Sequence, residues 1–136
     1  MMLTIQDKEN LIRMAKEARE LAYAPYSRYR VGAAVLTADG QVYTGSNVEN
    51  AAYPSSLCAE RVAIFKAVSE GHRKLDAVAV VTKNGGSPCG GCRQVMREFG
   101  GTELLILIAD ETGALLEEFT LEQLLPRSFG PDELVL

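Results

Sequence analysis

Three sulfurs and one carboxylate are the side chains here best placed to do chemistry. Cys89 and Cys92 form a C-x-x-C pair within SPCGGCRQVMREF, Ser87 to Phe99, and the third cysteine, Cys58, opens CAER with Glu60 two positions on. Two thiols at C-x-x-C spacing suit one edge of a tetrahedral zinc site or a redox pair, and a third ligand elsewhere in the chain decides between them. Cys58 is the thiol available for that part. Three thiolates and a water would complete a tetrahedral zinc with one exchangeable position, the mark of a catalytic site; a fourth protein ligand would instead close the site into a structural staple. A thioredoxin-like role for Cys89 and Cys92 leaves Cys58 and Glu60 without a purpose. His72, the one histidine, follows Gly71 at the expected end of a helix and reads as a solvated residue.

Several elements must position these groups. Leu11, Ala15, Ala18 and Ala22 share a helical stripe, Thr4 to Asp7 fits a capping start and Pro25 closes the pattern, so a first helix is expected from Ile5 to Tyr23. RYRVGAAVLTADGQVYTGSNV reads as two strands around Ala38-Asp39-Gly40, where the glycine supplies the positive φ of a hairpin turn. Ser55 and Ser56 are candidate caps for a second, largely apolar helix from Leu57 to Glu70, ended by Gly71. The valine-rich run Leu75 to Thr82, a short helix in CGGCRQVMREFG and the run ELLILIAD follow as strand, loop, helix, strand. Ala114 to Phe119 adds a strand, and Leu121 to Leu125 a short helix before the tail after Pro126. This alternation indicates an α/β layered domain with a partly parallel sheet.

Both cysteine motifs then fall at the first turn of a helix after a loop, where unpaired N–H groups and the positive end of the helix dipole stabilise thiolates. Two such helices side by side on one sheet face would aim Cys58, Cys89 and Cys92 at one point. Because Cβ atoms tilt toward a helix N-terminus, Glu60 can stand beside the metal without binding it. Arg61, at i+3 from Cys58, shares its face and would draw charge from the sulfurs, restoring the acidity that three thiolates take from a zinc-bound water. Pairing with a surface carboxylate is the plainer alternative for Arg61.

The 136 residues suit a single domain spanning 1–136, with 47% hydrophobic and 24% charged residues as in ordinary globular proteins. The net charge of −4 is spread without blocks, which argues against a long nucleic acid or an anionic membrane as partner. MMLTIQDKEN lacks a signal-peptide h-region and the longest strongly apolar run, Leu104 to Ala109, is too short to span a bilayer, so a cytoplasmic location is expected.

Cys58-Ala59-Glu60 followed by Pro88-Cys89-Gly90-Gly91-Cys92 fits the C-x-E then P-C-x-x-C order of zinc deaminases. With AYAPYSRYRVGAAV, GSNVENAAY, CAERVAIFKAVSEG, SPCGGCRQV and LLPRSF, the chain closely resembles the small, homotetrameric bacterial class of cytidine deaminase over nearly its whole length. The resemblance implies a three-layer α/β/α domain with a mixed, roughly five-stranded sheet, one Zn2+ per subunit, and hydrolytic deamination of cytidine and 2′-deoxycytidine in pyrimidine salvage. In that family a zinc-bound hydroxide attacks C4 while the glutamate corresponding to Glu60 shuttles protons. The resemblance also places the ribose clamp on Asn47 and Glu49, the pyrimidine carbonyl on the N–H of Ala59 and the exocyclic amine on the carbonyl of Ser87. It places on Phe129 an aromatic that closes the base pocket, of the same or a neighbouring subunit.

Tyr29 departs from the family's phenylalanine in this segment; its ring can pack on the base, but its hydroxyl needs water or a polar partner. The loop from Lys83 to Ser87 is also slightly short. Taken alone, Asn47 or Glu49 fits turn chemistry after a strand, and it is their joint occurrence in NVENAAY that points to a nucleoside. Core or interface packing is the plainer alternative for Tyr29 and Phe129. Blasticidin S deaminases share the metal motifs without the ribose segment and are the nearest enzymatic alternative.

Overall fold

In the computed structural model, which describes residues 2–134, Thr4 opens the first helix. Its hydroxyl accepts from the N–H of Asp7 and its own N–H donates to the Asp7 carboxylate, both at 3.0 Å, the reciprocal box expected from the sequence. Helix α1, Ile5–Arg19, buries Leu11, Ile12, Ala15 and Ala18. It ends four residues before the expected Tyr23. Tyr23 instead donates to the carbonyl of Asn47 (2.9 Å) and accepts from the N–H of Glu49 (2.8 Å), so bonding to a distant segment outweighs local helix propensity.

Strands β1 (Gly32–Thr37) and β2 (Val42–Ser46) form the expected hairpin, with Gly40 at φ +89° in the turn. Helix α2, Ala59–Ser69, starts later than expected and Cys58, not a serine, holds its N-cap position. Ser55 belongs to a short 3-10 turn, Tyr53–Ser55, and the Ser56 hydroxyl accepts from the N–H of Asn50 at 3.0 Å. Both candidate caps are thus used by the preceding loop. Gly71, at φ +97°, follows the helix end as expected. Strand β3 (Leu75–Val81), helix α3 (Gly90–Gly100), strands β4 (Leu105–Ala109) and β5 (Leu115–Thr120) and the short helix α4 (Leu121–Leu124) complete the order.

The sheet runs β2-β1-β3-β4-β5 and only the β3–β4 pair is parallel, the pair whose connection includes α3. Alternation along the strands divides the core. Ala33, Val35, Val78, Val80, Ile106 and Ile108 pack with α2 and α3, while Ala34, Ala77, Ala79, Val81, Leu107 and Ala109 pack with α1. Both sheet faces are therefore covered, which explains why the β3 and β4 sequences are apolar throughout. The three-layer α/β/α expectation with a mixed five-stranded sheet holds.

Gly45 sets the seam between β2 and the first turns of α2: a Cβ there would lie 2.7 Å from both the Ala59 carbonyl oxygen and the Ala63 nitrogen. Gly45→Ala is expected to lower stability by about 1–3 kcal/mol through this overpacking. Denaturant midpoints check it; an unchanged midpoint would show that the seam yields.

Candidate active site

The two expected helix starts converge. Cys58 caps α2, Cys89 caps α3 and Cys92 lies in the first turn of α3, and their three sulfurs all lie within 4.8 Å of one another. Neither capping cysteine spends its side chain on its helix, which leaves the sulfurs to point outward. All three are free thiols, with Cys92 buried, Cys58 half-buried and Cys89 exposed. Tetrahedral zinc at about 2.3 Å from each sulfur requires sulfurs about 3.8 Å apart, a spacing this cluster accommodates. The donor set therefore fits zinc, and among the described residues no histidine, aspartate or glutamate joins it. His72 is elsewhere, its Nδ1 3.1 Å from the Asp39 carboxylate.

The sulfurs also respond to one another electrostatically. A hydrogen bond from Cys92, aided by the Arg61 charge, brings the Cys58 thiol down to about 6 despite partial burial. The same hydrogen bond, with burial, drives Cys92 upward. One proton-poor sulfur beside one proton-rich sulfur is the expected response of like-charged groups at this spacing, and a divalent cation removes the conflict. Arg61 lies against the cluster, with Nη2 3.8 Å from the Cys89 sulfur. Its Nε is buried without an acceptor among the described residues.

Glu60, only 4% exposed, lies beside the cluster, and burial, reinforced by Cys58, pushes its carboxyl up to about 7. Its oxygens do not join the mutual spacing of the sulfurs. A cavity of about 290 Å³ opens in front of these groups. Cys58, Ala59, Glu60 and Cys89 form its floor, with Tyr29, Val31, Asn47, Glu49, Thr82 and Ser87 among its walls. This is near the lower end of the roughly 300–1,000 Å³ typical of small-molecule sites.

Residues 5–108 match the family model described as the cytidine and deoxycytidylate deaminase zinc-binding region. The chain belongs to this deaminase family. It is 48% identical over 130 residues to a cytidine deaminase of Sporosarcina psychrophila, covering 94% of this chain and 95% of that one. The crystal structure of a cytidine deaminase from Burkholderia pseudomallei superposes with a TM-score of 0.84 at 45% identity, covering 93% of this chain and all of the other. A cytidine deaminase structure from Mycobacterium tuberculosis gives 0.81 at 44%, covering 91% and 98%. Family membership and the fitted thiol cluster together make this a zinc-dependent deaminase fold with a hydrolytic site.

The remaining expected residues are distributed as follows. Asn47, 9% exposed, accepts from the N–H of Val31 (2.9 Å) and donates to the carbonyl of Tyr29 (2.8 Å). Glu49 accepts from the N–H groups of Tyr26 (2.9 Å) and Ser27 (3.0 Å) and from the Ser27 hydroxyl, and these bonds, the hydroxyl's first, hold its carboxyl below the usual range. Both side chains thus brace the 26–31 segment while facing the cavity. Ala59 begins α2, so its N–H has no partner within the helix. Phe129 does not line this chain's cavity; it is 57% exposed, with its carbonyl held by Gln94 Nε2 at 2.8 Å.

Sequence reasoning missed Arg93, whose guanidinium donates to the carbonyls of Pro88 (2.8 Å) and Leu124 (2.6 Å) and to the Ser87 hydroxyl (2.6 Å). It ties the metal loop to the C-terminal segment. Only its position directly after Cys92 signalled it. Thr82 and Gly86, which also line the cavity, and Asn84, which accepts from the Tyr29 hydroxyl, carried no signal at all.

Proposed function

We propose that this chain, acting as a single nucleoside deaminase domain over residues 1–136, hydrolyses cytidine and 2′-deoxycytidine to uridine and 2′-deoxyuridine with release of ammonia. The observation that carries the reading is the meeting of three thiols, of which Cys58 and Cys89 line a nucleoside-sized cavity together with the buried Glu60, Asn47 and Glu49. Held by Cys58, Cys89 and Cys92, zinc supplies the Lewis acidity that makes a water nucleophilic toward C4 at neutral pH.

The chain's own groups do the rest. Glu60 accepts one proton of the attacking water and gives it to pyrimidine N3, then takes the second from the hydroxyl added at C4 and delivers it to the departing amine; a carboxyl poised near 7 suits both directions of transfer. The Ala59 N–H holds the pyrimidine carbonyl and the Ser87 carbonyl receives the amine. Asn47 and Glu49 retain unused hydrogen-bonding capacity for the sugar hydroxyls, and Tyr29 packs on the base. Arg61 offsets the charge of the sulfurs. No lysine or arginine is among the residues lining the cavity, which favours a nucleoside over a nucleotide phosphate.

A spectrophotometric assay with cytidine, deoxycytidine, dCMP and blasticidin S tests the reading. Turnover of the two nucleosides well above the others is expected. Preference for dCMP or blasticidin S, or no turnover of cytidine by zinc-loaded protein, would overturn it.

The enzyme works as a cytoplasmic homotetramer in pyrimidine salvage, with Phe129 completing a neighbouring subunit's pocket. Its exposure outside its own cavity, together with the exposed Phe65 on α2, supports this arrangement. Light scattering should return four copies; a monomer at assay concentration would contradict it.

A further inference from the structure

Two chain segments that both contribute to the cavity lining meet one another. One, residues 26–31, is braced by Asn47 and Glu49, with Arg28 at φ +59° just before Tyr29. The other, residues 82–87, turns through Gly85 at φ +76° and is anchored on its inner side by the Gly86 N–H donating to the buried Thr82 hydroxyl at 2.6 Å. A side-chain hydrogen bond joins them: the Tyr29 hydroxyl donates to the side-chain amide oxygen Oδ1 of Asn84 at 2.7 Å. The polar partner that a tyrosine here requires is thus supplied by the facing loop.

Gly86 explains how the hydroxyl fits. A Cβ on Gly86 would fall well inside contact distance of the Tyr29 oxygen, whereas it would stand 3.4 Å from Cζ and 3.6 Å from the Thr82 hydroxyl. Only the phenolic oxygen forbids a side chain at this position, since the Gly86 backbone is not in the left-handed region. The tyrosine ring cannot yield cheaply, because swinging it away breaks the bond to Asn84.

We propose that Tyr29, Asn84 and Gly86 form an interlock that fixes the spacing of the two cavity walls and so sets affinity for the base, with Asn84 and Gly86 as positioning residues and the hydroxyl as the latch. It deepens, and rests on, the nucleoside deaminase reading above. A hydroxyl added at position 29 in this pose uses an acceptor on the facing loop and requires a residue without a side chain at 86. Both are present.

Cytidine kinetics on single and paired substitutions test this. Tyr29→Phe and Asn84→Ala should each raise KM about three- to tenfold with a smaller change in kcat, the range expected for one partly exposed hydrogen bond. The double variant should be no worse than the weaker single, since both remove the same bond. Gly86→Ala should raise KM more than either, and adding Tyr29→Phe should return it to about the level of Tyr29→Phe alone. Independent, multiplicative effects, or a Gly86→Ala defect that Tyr29→Phe deepens, would overturn the interlock. Thermal midpoints carry the same test without turnover: Gly86→Ala lowers the midpoint and Tyr29→Phe restores it, and a further fall overturns the interlock. Absence of cytidine turnover by the unsubstituted protein would fault the nucleoside reading instead.

Discussion

Glu60→Gln is expected to cut kcat for cytidine by about two to four orders of magnitude while leaving zinc content and fold intact. Glutamine keeps the shape and hydrogen-bonding reach of the side chain but can neither take a proton from water nor return one to the pyrimidine. Glu60 itself lies almost out of solvent, so bulk water is a poor substitute for the lost carboxyl. Burial raises the Glu60 carboxyl to about 7, which means that the folded protein disfavours its charged form. A neutral isostere should therefore leave thermal stability equal or slightly raised. Activity, metal content and melting midpoint measured on one preparation separate lost chemistry from lost structure. Comparable kcat in the two proteins would remove Glu60 from the mechanism.

Cys89→Ala should release zinc and lower activity by at least about a thousandfold, as expected when the several kcal/mol supplied by a Lewis acid are lost. Cys89 is the cleanest of the three thiols to remove because it is exposed, whereas Cys92 is fully buried and its truncation would also disturb packing between α3 and the sheet. Chelation of the unsubstituted protein should have the same effect on activity, reversed by stoichiometric zinc, and should lower the melting midpoint because metal binding adds to folding stability. Unchanged zinc content and activity in Cys89→Ala would show that this thiol is not a ligand.

The features readable from residue order were those with a short-range cause. The hairpin follows from Asp39-Gly40, the start of α1 from the Thr4–Asp7 box, and the paired β3 and β4 from two apolar runs flanking a helix. The metal cluster was legible for a similar reason: each thiol motif sits at a helix start, and helix starts that pack together bring their side chains together. What residue order concealed was settled by distant partners. Residues 20–23 leave the helix because Tyr23 bonds to the strand-like segment around Val48. Ser55 and Ser56 fail as caps because Ser55 ends a 3-10 turn, the Ser56 hydroxyl is bonded to the N–H of Asn50, and Cys58 holds the cap position. Arg93 resembles any helix-surface arginine in sequence, yet it joins segments 31 residues apart. Tyr29 was visible as a departure from its family, but its acceptor lies 55 residues away in a loop whose own sequence carries no sign of it.

X-ray absorption spectroscopy at the zinc edge on purified, ligand-free protein addresses the shared basis of these expectations most directly. Three sulfur scatterers at about 2.3 Å and one light-atom scatterer, with that shell changed by a transition-state analogue and the sulfurs retained, is the predicted result. Four protein ligands unaffected by the analogue, or fewer than three sulfurs, would contradict it.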